Sequence, residues 1–214
     1  HFIPPSEINF RANIYAMKKI GVEKIISISA VGSMKEEYPP GHFVVPDQFI
    51  YRTHQRPLTF FGDGAVAHVA MADPFCLTLS RLLADVGESL MPEGRQLHRS
   101  GTYLAMEGPA FSTRAESNLY RSWGCSVIGM TNHTESRLAR EAEIAYASLA
   151  MVTDYDCWHA HHEGVTIEMV ITNLRANSLV AKKIVRATAE KLASLRPVST
   201  AHNALEDGLM TDKN

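Results

Sequence analysis

The sequence predicts a three-layer α/β domain built on a mixed, mainly parallel central sheet. Three observations carry that expectation. Short apolar runs suited to strands alternate with stretches of helical period along most of the chain. The 214 residues are 45% hydrophobic with a formal net charge of -2, an ordinary globular composition at a length that can bury a sheet. A long patternless stretch from Tyr51 to Ala70, with several irregular strands, argues against a plain doubly wound fold.

The elements follow in chain order. Pro4 and Pro5 restrict the entry, and Ser6 stands as a cap for a helix from about Glu7 to Ile20. Ile8, Ala12, Tyr15, Ala16 and Lys19 share one side of that helix, and Gly21 can stop it. EKIISISAVGS reads as a strand from Lys24 to Ala30 and a turn at Gly32. PPGHFVVPDQFI reads as turn, short strand and loop, continuing into the long loop, a kind that is usually functional or interfacial. Asp73 and Pro74 open a helix running to about Gly87. An extended segment spans roughly Gly101 to Met106, and Thr113 with Glu116 forms a capping box for a helix that closes at Gly124.

CSVIGM is a further short strand, SRLAREAEIAYA a helix, and ASLAMV a buried strand. A long helix runs from about Thr166 to Leu195, with Val170, Leu174, Leu179, Ile184 and Leu192 among its apolar positions. Beyond Pro197 the chain is polar and unpatterned. The expected organisation is one domain over 1–197 and a polar tail over 198–214.

Composition excludes several classes. Lys and Arg are scattered among acids, which gives no field for nucleic acid. No apolar run reaches membrane-spanning length. Cys76, Cys125 and Cys157 are odd in number and widely spaced, which fits a reducing, cytoplasmic compartment rather than a disulfide framework. His159, His161, His162 and Glu163 lack the HExxH order, so they read as a polar loop or helix face and no metal is expected. A start at His1 without Met suggests a processed or truncated chain.

In open α/β folds ligands gather beyond the C-terminal ends of strands. Four segments have that placement or flank it. In Ser29-Ala30-Val31-Gly32-Ser33, small side chains leave backbone N–H groups and a hydroxyl accessible to an anion, although an ordinary turn would look the same. Thr131, after the SVIG strand, can donate to a phosphate or a sugar, or merely cap a helix. In MEGPAFSTRAES, Phe111 offers an aromatic face or a core contact. In TDYDCW, Asp154 and Asp156 follow an apolar run, and an extended backbone would point both to one side. Two acids at a buried strand end are costly unless hydrogen-bonded or protonated, which points to a ligand or a proton-transfer role against a purely structural cap.

NFRANIYAMKKIGV, SAVGSMKE, DQFIYRT, MEGPAFSTRAES, GMTNHTESRLAREAE and AMVTDYDCWH resemble the methylthioadenosine phosphorylases, within the trimeric purine nucleoside phosphorylases, over about residues 1 to 195. The resemblance implies a phosphorylase-like α/β/α subunit, a homotrimer, and phosphorolysis of 5′-methylthioadenosine to adenine and 5-methylthioribose 1-phosphate. It implies no cofactor and no metal, inorganic phosphate being a co-substrate. By motif it places Ser29 and Thr131 at phosphate, Ala30 near the base and ribose, Phe111 with Ser112 beside the purine, and Met130 against the ribose. Asp154 and Asp156 fall on the acids that contact N7 and the exocyclic group. Ile167, Val170 and Ile171 fall on the apolar lining of the methylthio end, and His68 on a histidine lent across the trimer interface.

The chain departs from the family's pattern. A Gly-Gly-Thr-Gly phosphate loop and an Arg-His-Gly segment do not precede the resemblance, and Tyr51, His42 and Thr134 replace an Asp, an acid and a Pro. The expected alternatives are a phosphorylase of methylthioinosine or other 6-oxopurine nucleosides, with His133 a point of difference, and a non-catalytic oligomeric fragment.

Overall fold

A computed structural model describes residues 2–159, 167–195 and 197–211. Among these residues seven strands form one sheet: β1 (Lys24–Ser33), β2 (Phe43–Val44), β3 (Gln48–Arg52), β4 (Leu97–His98), β5 (Thr102–Met106), β6 (Val127–Gly129) and β7 (Ala145–Asp154). Their order is β3-β5-β6-β1-β7-β2-β4. Four of the six pairings are parallel, while β1 with β6 and β2 with β7 run antiparallel, so the sheet is mixed and mainly parallel as expected.

Strand β7 is buried at all ten positions, the pattern of a central strand covered on both faces. Its alternation sorts the layers. Ala145, Ala147, Leu149 and Met151 pack with Leu79, Leu83 and Ile184 from α2 (Leu77–Ser89) and α5 (Ile167–Leu195). Tyr146, on the other face, packs with Ile14 and Leu138 from α1 (Phe10–Lys19) and α4 (Asn132–Glu141). The remaining helix is α3 (Arg114–Ser122). Strand β1 pairs with β7 from Lys24 to Gly32 but meets β6 only at Gly32 and Ser33. Its other edge, from Lys24 to Val31, carries no strand among the described residues.

Several boundaries differ from expectation for local reasons. Asn9, not Ser6, caps α1 by accepting from the Ala12 N–H at 3.1 Å, because Pro5–Glu7 forms a separate 3-10 turn. The Ser6 hydroxyl donates instead to Glu107. Helix α2 opens at the Cys76 cap rather than at Asp73, and it runs past Gly87, which is buried against Leu97. Helix α4 begins at Asn132, straight off β6, and ends before Glu143, whose φ of 56° turns the chain into β7. The stretch EIAYA, expected in that helix, therefore supplies the start of the strand.

QFIYR, expected as loop, pairs in parallel with β5, and the two-residue β4 had no sequence signal. The capping box at Thr113 and Glu116 is present. After Pro197, residues Thr200–Asn203 form a 3-10 helix with Ala201 buried, and Leu209 bridges to Ala67. His161, His162, Glu163 and Thr166 lie outside the described residues. Among the described residues no helix is long and apolar enough to cross a membrane, and no three His, Cys, Asp or Glu side chains are grouped to hold a metal.

Candidate active site

The C-terminal ends of β1 and β7, the β6–α4 turn, the loop around Phe111 and the first turns of α5 enclose a cavity of about 780 Å³. That volume suits a nucleoside-sized molecule with room for an anion. Ser29, Ala30, Phe111, Met130, Thr131, Asp154, Asp156, Ile167, Val170 and Ile171 all line it. Residues spread over more than a hundred positions of sequence thus converge on one space. His68 does not. It is exposed, with its backbone N–H donating to the Gly208 carbonyl at 2.7 Å, and it lies outside the cavity lining.

The acid pair forms differently from the extended geometry expected. Strand β7 ends at Asp154, and Asp156 sits in a turn with φ 54°, a conformation that costs energy for a side chain other than Gly. Both carboxyls nevertheless reach the cavity and both residues are buried, at 5% exposure each. The Thr153 hydroxyl donates to Asp154 Oδ2 at 2.7 Å, and the Asp156 N–H donates to Asp154 Oδ1 at 2.8 Å. Burial pushes the Asp154 carboxyl above the ordinary carboxylate range; those two hydrogen bonds oppose the shift and the neighbouring Asp156 charge adds to it. Burial raises Asp156 as well, against hydrogen bonds from Ser117 and the Cys157 N–H. Burial thereby favours the protonated form of either acid over that of an exposed carboxylate.

A shift in strand register aims the pair. Val31 pairs with Val152 but Gly32 pairs with Asp154, leaving Thr153 as the extra residue of a bulge. Beyond the turn, the Trp158 indole N–H donates to the Ser33 carbonyl at 2.7 Å and Arg121 stacks on the Trp158 ring at 3.6 Å, which fixes the turn to the end of β1.

The lining around Met130 is braced by Arg56. Its side chain is fully buried, pairs with Glu107 at 3.2 Å, and donates to the carbonyls of Met130 and Glu107 and to the Thr134 hydroxyl. Glu107 also accepts from the His54 and Gln55 N–H groups. Two loops and the residue beside the cavity, Met130, are thereby tied to one guanidinium. His133 takes no part in the cavity: it stacks on Tyr51 at 4.2 Å, meets the Phe49 edge, and burial pushes its pKa down to about 3. Tyr51, a departure from the family's pattern, therefore packs on His133, and neither residue lines the cavity. His42, another departure, lies with its Nδ1 3.1 Å from His98 Nε2 at the far edge of the sheet.

Sequence reasoning missed Tyr103, Gly129 and Thr153 in the lining, together with Phe2 to Pro5. Tyr103 reads from sequence as an ordinary core residue of a strand. Only the absence of a side chain at Gly129, one strand over, lets its hydroxyl reach the cavity.

Comparison with known proteins shows the family. The family model of the Phosphorylase superfamily matches residues 1–190. The S-methyl-5'-thioadenosine phosphorylase of Prochlorococcus marinus is 67% identical over 214 residues, covering all of this chain and 68% of that protein. That of Thermosynechococcus vestitus is 57% identical over 211 residues, covering 99% of this chain and 73% of the relative. The crystal structure of a methylthioadenosine phosphorylase sourced from an antarctic soil metagenomic library superposes with a TM-score of 0.95 at 48% identity, covering all of this chain and 74% of that one. The Schistosoma mansoni methylthioadenosine phosphorylase in complex with adenine gives a TM-score of 0.88 at 34% identity, covering 97% of this chain and 78% of that one.

Proposed function

Because this chain belongs to the Phosphorylase superfamily, we propose that its cavity carries out the phosphorolysis of S-methyl-5′-thioadenosine. The enzyme is a pentosyltransferase of the purine nucleoside phosphorylase type, and its substrates are a nucleoside and phosphate. The observation that carries the choice of nucleoside is the buried Asp154–Asp156 pair in a cavity that is also lined by Ile167, Val170 and Ile171. A pair of acids suits a base that offers a ring nitrogen and an amino group. An apolar wall suits a sulfur-capped 5′ end, which makes no demand for hydrogen bonds.

Breaking the ribosidic bond places positive character on the sugar and negative charge on the leaving purine. Asp154, held above the usual carboxylate range by burial, delivers its proton to N7 as the bond to C1′ opens, and the bonding pair leaves with the neutral base. Asp156 accepts from the 6-amino group. Phosphate, held from the Ser29 and Thr131 side, stabilises the cationic sugar and then forms the new C1′–O bond. Phe111 covers the purine, while Ala30 and Met130 lie along the base and ribose. His68 reaches the 5′ end from a neighbouring subunit of a homotrimer. The reaction needs no cofactor beyond phosphate as co-substrate, and the compartment is cytoplasmic.

The test is phosphate-dependent release of purine by the intact protein. Adenine release from methylthioadenosine, faster than hypoxanthine release from methylthioinosine, is expected. Faster conversion of the 6-oxo substrate would overturn the choice of nucleoside. Absence of any phosphate-dependent release would favour a non-catalytic oligomeric role.

A further inference from the structure

Helix α5 meets the cavity in two ways. Its first turns lay Ile167, Val170, Ile171 and Leu174 along the lining, while two of its amides reach the strand that ends at the acid pair. Asn173 and Asn177 stand four residues apart, so their side chains leave the helix on the same side. The Asn177 amide donates to the Val152 carbonyl at 3.0 Å, and its Oδ1 accepts from Arg95 at 3.0 Å. The Asn173 amide donates to the Thr153 carbonyl at 2.6 Å. Two successive carbonyls of β7 are thus held by one helix, and the second belongs to the residue of the bulge.

The two bonds differ in what depends on them. The Val152 carbonyl also accepts from the Gly41 N–H at 2.9 Å, so the regular part of the strand has a second anchor. Thr153 is buried and has no partner in the register with β1, and a bulge residue outside the ladder takes its orientation from whatever else holds it. Its hydroxyl lies 2.7 Å from Asp154 Oδ2 and 3.2 Å from the Val31 carbonyl, with one proton to give, and the carboxyl is the nearer acceptor. A turn of the Thr153 peptide would therefore carry the Asp154 carboxyl with it. We propose that Asn173 is a positioning residue that fixes the Thr153 bulge and, through it, the place of the Asp154 carboxyl in the cavity. Val170 stands three residues before Asn173, so the helix that lines the cavity also sets where the acid stands.

The inference rests on the phosphorolysis reading, and the experiment separates the two. Steady-state kinetics of the intact enzyme are measured with phosphate and with methylthioadenosine varied in turn. The variants are N173A, N173L, which keeps the side-chain size and removes the donor, D154N, and each Asn173 change combined with D154N. Both Asn173 variants are expected to lower kcat about tenfold, the scale of a small misplacement of a reacting group, with both KM values within about threefold of wild type. In the D154N background either change is expected to lower kcat by less than about twofold, because its effect passes through the Asp154 carboxyl. Loss of packing alone would lower kcat by the same factor in both backgrounds. Equal losses of that kind, an unchanged kcat in a folded Asn173 variant, or normal turnover in D154N would overturn the proposal while leaving the phosphorolysis reading intact. A wild type without phosphate-dependent activity would overturn both. If one Asn173 variant fails to fold, the other decides; failure of both would show that the amide is structural, and would also overturn the proposal.

Discussion

Gly32 lies directly opposite Asp154, at the point where the pairing of β1 with β7 slips by one residue. A Cβ on residue 32 would stand 2.9 Å from Asp154 Oδ1 and 3.3 Å from the Asp156 Cβ. The acid pair therefore occupies space that any other residue at position 32 would fill. Gly32→Ala is expected to lose activity at least about tenfold and to cost roughly 1–3 kcal/mol of stability, the usual penalty for overpacking. Turnover and a denaturant melt read the two effects, and wild-type values in both would show that the acids can shift without consequence.

Asp154→Asn keeps the side-chain shape but removes the proton that the proposed mechanism gives to the departing purine. Turnover should fall about 100-fold or more, while the melting temperature and subunit assembly stay near those of wild type. Normal turnover in this variant would remove Asp154 as the donor.

Asp156→Asn replaces an acceptor-only group with one that can also donate. The ratio of adenine release to hypoxanthine release should move toward the 6-oxo substrate, because the variant can hydrogen-bond O6. Competition assays with the two methylthio nucleosides measure that ratio, and an unchanged ratio counts against the contact.

The rate should depend on pH in a definite direction. The Asp154 carboxyl is raised by burial, so its protonated form persists above the ordinary carboxylate range. Below the raised value the donor is present; as pH rises through it the proton is lost, and kcat should decline on that alkaline side. A pH profile of kcat for wild type should show the decline, and the residual rate of Asp154→Asn should not.

Arg56 and Glu107 test the frame of the site. The guanidinium is fully buried and the carboxylate about three-quarters so, with 23% side-chain exposure. Glu107→Gln leaves a buried cation without its counter-charge and should cost about 3 kcal/mol, seen as a lowered melting temperature. Because Arg56 also holds the Met130 carbonyl, the nucleoside KM should rise more than the phosphate KM.

The fold class and the residue types of the site were legible in the chain because both depend on local signals. A mostly apolar run such as ASLAMV buries wherever it is placed, and a Thr-x-x-Glu box caps whatever helix follows it. Element ends were less legible. EIAYA has helical spacing, yet Glu143 turns the chain and Tyr146 is drawn into a central strand beside β1. QFIYR becomes a strand only because β5 offers it an edge, and β4 is two residues that pair with β2. Those outcomes rest on contacts with remote segments, which no window of sequence contains.

By itself the sequence determined that this is a mainly parallel α/β phosphorylase with acids and hydroxyls at strand ends and an apolar helix face. The tertiary structure alone decided how these meet. Asp154 and Asp156 share the cavity through a bulge at Thr153 and a left-handed turn at Asp156, not through the extended strand that their spacing suggests. Tyr103 joins them because Gly129, distant in sequence, vacates the path of its ring. The physical reason is the same in both cases: composition and period fix which groups are buried, but the direction of a buried side chain is set by the empty space its neighbours leave.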